Sequence, residues 1–259
     1  MMKSLGGVIG YEYRMMITRR GPWLAYAVVF IFHGLTMVRL GESASSPFSG
    51  LDPWRAAGEM LYILNLFTPL IGGIAAADRL IRDNRLGVRE LQRSCHQPTG
   101  LLLIGKYAGV LAGALTPNLV FILAITAGTI AAGIQTPAFL PAALAAYVAI
   151  SVPAFAFIVA FSLACPLMIP IRVYQVLFTG YWFWANYLPP EAFPTLNGTL
   201  LTPAGVYALH GFFGGRVGTG KGIVHGSGEA VINLIVLFAA AFAVLAVASR
   251  FMARRETES

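Results

Sequence analysis

Uncharged apolar stretches of about twenty residues recur along this chain, and they restrict its fold more than any other feature of the sequence. A stretch of that length crosses the hydrocarbon core of a bilayer as a helix. In lipid, every backbone N–H and C=O must be satisfied within a helix or around a closed barrel. The stretches are rich in Leu, Ala, Ile and Gly and do not alternate as barrel strands do, which leaves helices. Only 11% of the 259 residues are charged, against roughly 25% in soluble domains, and the mean hydropathy is +0.72. The expectation is an all-α integral membrane protein forming one transmembrane domain over residues 1–259.

Six spans are expected, over residues 23–40, 56–77, 101–134, 138–164, 171–187 and 230–248. Ahead of them, Leu5, Ile9, Tyr13, Met16 and Ile17 recur at helical spacing beside Lys3, Arg14, Arg19 and Arg20. Residues 1–22 therefore read as an amphipathic helix in the cytoplasmic interface. The first span, followed by Arg39, reads as a retained signal anchor. The run Thr116, Pro117, Asn118 predicts a kink in the third span. Residues 188–228 read as extracytoplasmic, with short re-entrant helices followed by a glycine-rich loop. Glu59 and Glu229 are placed at outer span ends, within reach of water.

Charge sets the orientation. All lysines and arginines except Arg39, Arg55, Arg216 and Lys221 fall on one side of these six spans. That side is cytoplasmic by the positive-inside rule, so both termini and residues 78–100 face the cytoplasm. The net charge of +7 then reflects loop asymmetry and does not point to nucleic acid. Cys95 and Cys165 map to the same side and read as free thiols. The expected location is a bacterial cytoplasmic membrane, with the chain in contact with lipid.

Residues 215–222 superficially match a phosphate-binding loop. The last position is Gly222, so the magnesium-binding hydroxyl is missing, and no strand precedes it. No nucleotide site is expected there, and no cofactor or metal is assigned to this chain. Gly105, Gly109 and Gly113 form a small-residue ladder for close helix packing, within the protomer or across a dimer. Polar residues inside spans are costly in lipid. His33, Asn65, Thr68, Asn118, Gln175 and Asn233 are read either as interhelical hydrogen-bonding groups or as the lining of a substrate route. Tyr174, Phe178 and Trp182, within the aromatic fifth span, fit either an interfacial belt or a stacking wall for an amphipathic substrate. The sequence carries no nucleophile elbow, zinc-protease motif or channel filter, which argues against an enzyme.

The charged segment between the second and third spans stands apart from this oily background. Arginines crowd residues 79–93, interleaved with Asp83 and Glu90. With Asp78 at the membrane exit, Arg82-Asp83, Arg85, Gly87, Arg89, Glu90-Leu91, Pro98 and then Gly105-Lys106, it resembles the coupling loop of ABC-2 type permeases. These are membrane subunits of ATP-binding-cassette exporters. The resemblance implies a permease subunit whose loop, through Arg82, Asp83, Arg85, Gly87, Arg89, Glu90 and Leu91, seats in a soluble ATPase. It implies two such ATPases carrying ATP and Mg, and a second permease chain, identical or homologous. The six spans, the interfacial helix and the re-entrant segment fit that architecture. The alternatives are a stand-alone secondary transporter or channel, and a membrane scaffold with no transport role.

Overall fold

A computed structural model describes residues 2–42, 50–85, 99–188, 194–216 and 224–257. Among these residues the secondary structure is helical throughout, with no strand. The order is α1 (Met2–Ile17), α2 (Arg20–Glu42), α3 (Pro53–Asn65), α4 (Thr68–Ala76), α5 (Arg79–Arg85) and α6 (Thr99–Ala131). It continues through α7 (Phe139–Ala146), a π-helical turn (Tyr147–Ser151), α8 (Val152–Ala164) and a 3₁₀ turn (Cys165–Leu167). α9 (Ile171–Asn186), α10 (Val206–Phe213) and α11 (Ser227–Thr257) complete it.

Among the described residues, three helices are long and apolar enough to cross a membrane: Thr99–Ala131, Phe139–Leu167 and Ser227–Arg254. A fourth crossing is available if the bent pair Pro53–Asn65 and Thr68–Arg82 is one span. α2 and α9 cover residues expected as the first and fifth spans, and neither is among these candidate crossings. α8 is the hub. Nearly all of it is buried, and it packs against α4, α6 and α11.

Prolines shape the elements. Asp52 caps α3 through Trp54 N–H at 3.0 Å, with Pro53 entering the first turn. Pro69 has no N–H for the carbonyl of Asn65, and its ring crowds that carbonyl. The helix pair expected as the second span accordingly breaks at Leu66 and Phe67 and bends by 43°. Pro153 likewise leaves the carbonyl of Ala149 without its usual donor. The chain answers with the π-helical turn, in which Val152 N–H reaches back to Tyr147 O. α6 runs through Pro117, where a kink is expected, as a single helix of 33 residues. Neighbouring groups hold the carbonyls around it, Tyr26 on Ala114 O (3.3 Å) and Tyr147 on Leu115 O (2.9 Å).

The glycine ladder packs within the protomer, and its partner is α1. A Cβ on Gly109 would stand 2.6 Å from Ile9 O, and one on Gly105 would stand 3.0 Å from Leu5. Gly113 faces Met16 in the same way. The first helix therefore lies along α6, with Glu12 and Met16 buried, and is not a helix resting alone in the interface.

Candidate functional site

Three constellations gather the residues that carry chemistry. The first is ionic and lies at the base of the charged segment. Glu12 is buried on the face of α1 that meets α6, and its carboxylate accepts from Lys106 Nζ at 2.9 Å. Arg79, at the start of α5, is also buried. Its Nε stands 4.0 Å from the same carboxylate, and its terminal nitrogen donates to Glu12 O at 3.4 Å. Beside it, Arg19 makes a two-pronged bond to Asp78, at 2.9 and 2.8 Å. Planar guanidinium and carboxylate groups match in this geometry, which fixes direction as well as distance. α1, the exit of α4, α5 and α6 are thus pinned at one point.

Three of the seven expected coupling residues lie on α5. Arg82 is exposed on α5, and Asp83 and Arg85 extend the same helix. Gly87, Arg89, Glu90 and Leu91, with Cys95 and Pro98, lie outside the described residues.

The second constellation surrounds the break between α3 and α4. Leu66 O accepts from Trp182 Nε1 at 2.7 Å and Tyr187 OH at 3.1 Å. Asn65 donates to Pro203 O (3.1 Å) and Ala204 O (2.9 Å), tying the break to the chain that follows α9. The His33 ring meets Phe67 edge-on at 5.4 Å, and Phe67 meets Tyr187 at 5.8 Å. Asn65 Oδ1, Thr68 Oγ1 and both amide atoms of Asn118 are buried with no hydrogen-bond partner among the described residues. Asn65 and His33 therefore share one neighbourhood with Trp182. Asn118 sits in the packed interior of α6.

The third constellation is a cavity of about 420 Å³ with Tyr174 and Phe178 in its wall. Their rings stack with centroids 5.6 Å apart and planes 4° from parallel. Tyr174 turns its hydroxyl to Ser162, at 2.8 Å, and so shows the cavity a ring face. Trp182 is fully buried against Leu66 and lies outside this wall. Gly72 and Gly73 make the packing here close: a Cβ on either would stand 2.6 Å from the ring of Phe155 or Phe178.

At the far end of the bundle, Glu59 is not at the watery span end expected for it. It is buried, bonded to Arg55 Nε at 3.0 Å and to Arg216 N–H at 3.3 Å. Glu229 is exposed and holds His225 at 2.8 Å. The His225 ring stacks on Tyr207 at 3.9 Å. Burial, with Glu229 adding to it, pushes the Tyr207 phenol above its ordinary pKa. Among the described residues no cluster of His, Cys, Asp or Glu has the form of a metal site.

Sequence reasoning missed Glu12 and Arg79 as functional groups. Glu12 is the lone acid in a helix of basic and apolar residues, and that was the available signal. No protein-family model, curated protein or solved structure matches this chain.

Proposed function

We propose that the chain is the membrane-spanning permease subunit of an ATP-driven exporter, working as a pair of permeases with two soluble ATPases. In this reading six spans cross a bacterial cytoplasmic membrane with both termini inside. One observation carries it: the base of the charged segment is tied to α1 and α6 by the buried Glu12, Arg79 and Lys106, with the part-buried Arg19–Asp78 pair beside them. A push on residues 79–93 would reach Arg79 and Asp78, and through Glu12, Arg19 and Lys106 it would move two further helices together. Packed interiors pass such displacements on because they are close to incompressible. α5 also packs against Cys165–Leu167, which leads directly into α9. Force applied to the loop therefore has a second path, to the wall that holds Tyr174 and Phe178. The Arg and Glu side chains of the loop would set register on the ATPase more than affinity.

The test is charge reversal at the loop. Arg89→Glu with Glu90→Arg should abolish co-purification of the ATPase and ATP-dependent transport while leaving the permease folded. Retention of both would remove the coupling role.

A stand-alone secondary transporter is the second reading, favoured by the broken span and its unpartnered Asn65 and Thr68 oxygens. Discontinuous helices near the bilayer midplane form the ion sites of such proteins. Ion-gradient-driven uptake by the purified chain in liposomes, with no ATPase present, would establish it instead.

A further inference from the structure

Buried polar atoms without partners fall along one line of the bundle. Asn65 Oδ1, Thr68 Oγ1, both amide atoms of Asn118 and Thr126 Oγ1 have no hydrogen-bond partner among the described residues. All four residues are fully buried. Each such atom weakens the packed state, because it has left water without gaining a hydrogen bond.

Register places these groups together. Arg79 follows α4 closely, Lys106 lies near the start of α6, and both face Glu12, so the end of α4 lies beside the start of α6. Moving away from that pin, the two helices run antiparallel and meet again at Tyr26. Its hydroxyl donates to Ala114 O at 3.3 Å, and a Cβ on Gly72 would stand 3.3 Å from it. Thr68 lies one turn beyond Gly72 on the same face of α4, and Asn118 lies one turn beyond Ala114 on the same face of α6. α4 packs against α6, so Thr68 and Asn118 share one level of that contact. Asn65 continues the line across the break, and Thr126 continues it two turns further along α6.

The packed state does not account for these side chains. An apolar residue of like shape at any of them would relieve it. Water entering between α4 and α6 would satisfy all of them together. α4 is suited to such a parting, since it is nine residues long and the break separates it from α3. Asn65, Thr68, Asn118 and Thr126 are all neutral, so the seam offers hydrogen bonds and no counter-charge. A bare ion costs far more to hold in such a place than a neutral polar group does.

We propose that the seam between α4 and α6 opens transiently to water and, when open, binds neutral solutes that carry hydrogen-bonding groups. The proposal deepens the pathway reading of Asn65 and Asn118, and it rests on the transport function proposed above only in calling the seam a pathway.

The experiment uses the purified full-length chain with Cys95 and Cys165 replaced by serine. One cysteine is then placed in the seam, by Thr126→Cys, or in the interior of α8, by Ala160→Cys; both positions are fully buried. Alkylation needs a thiolate, which an apolar interior suppresses and water restores. Iodoacetamide, which is small, neutral and hydrogen-bonding, should label Thr126→Cys about tenfold faster than Ala160→Cys, because parts of one fold open with different free energies. Charged iodoacetate should show no such difference. Adding Thr68→Val and Asn118→Leu should slow labelling of Thr126→Cys to the Ala160→Cys rate and raise Tm by about 2–4 °C. Equal labelling of the two positions by iodoacetamide would overturn the opening, and the same advantage with iodoacetate would overturn the neutral class. A lowered Tm, or an unchanged labelling rate, after the two apolar substitutions would overturn the role of the partnerless groups. Ile122→Cys, on the same stripe of α6, takes the place of Thr126→Cys if that variant does not fold. Labelling is read on the chain alone, so a failure of ATP-dependent transport would count against the exporter reading and leave the opening standing.

Discussion

A carboxylate taken out of water needs well-placed partners, and removing one member of a buried pair costs about 3–5 kcal/mol. Glu12 has Lys106 at 2.9 Å and Arg79 beyond it, all three almost fully buried. Glu12→Ala leaves two cations facing each other in the interior, and the unfolding free energy in mixed micelles should fall by that amount. Glu12→Ala combined with Lys106→Met should recover part of the loss; a double variant no better than the single would place the stabilisation elsewhere. Gly109 gives a second residue-level expectation. A methyl group there meets the backbone of α1 at Ile9 O, which no rotamer change relieves. Gly109→Ala should cost about 1–3 kcal/mol through overpacking. Gly128 lies in the same helix with open space around it, so Gly128→Ala should stabilise by about 0.4–1 kcal/mol. Equal effects at the two positions would mean that α1 is not seated on α6.

Among the elements, the broken second span is held open by groups that come from elsewhere in the chain. Leu66 O has two donors, so Trp182→Phe or Tyr187→Phe alone should cost little, while the double variant should lose about 1–3 kcal/mol by leaving the carbonyl unsatisfied. Denaturant titration of the four proteins gives this coupling directly, and simple additivity would argue against a shared acceptor. Asn118 is the reverse case. Both of its amide atoms lack a partner among the described residues, so Asn118→Leu should be neutral or stabilising. A loss above about 1 kcal/mol would place a partner on that amide. These features were unequally legible. Hydropathy over twenty residues marks Thr99–Ala131 and Ser227–Arg254 without tertiary information, and four-residue glycine spacing marks a close approach whatever its partner. Pro69 and Pro153 stand in the sequence as plainly as Pro117. Yet Pro69 breaks its span, Pro153 is absorbed by a π-helical turn, and Pro117 lies inside a continuous helix. The residue type alone therefore does not fix the outcome; the surrounding packing does. Glu12 was only faintly legible: a lone acid two residues before Arg14 also reads as part of a solvated face.

For the whole molecule, the expected sidedness can be checked chemically. With Cys95 and Cys165 replaced by serine, Ser227→Cys should react with a membrane-impermeant maleimide in intact cells. Ala253→Cys should react only after the membrane is opened, and the reverse pattern would invert the arrangement. Both positions are exposed, at opposite ends of α11. The seating of α1 has a further consequence, in time. Lys106 follows Glu12 by 94 residues, and at roughly 5–20 residues per second a ribosome needs on the order of 5–20 s to supply it. Throughout that interval the first helix has been made and its groove has not. Until then the apolar face of α1 needs some other cover than the glycine ladder.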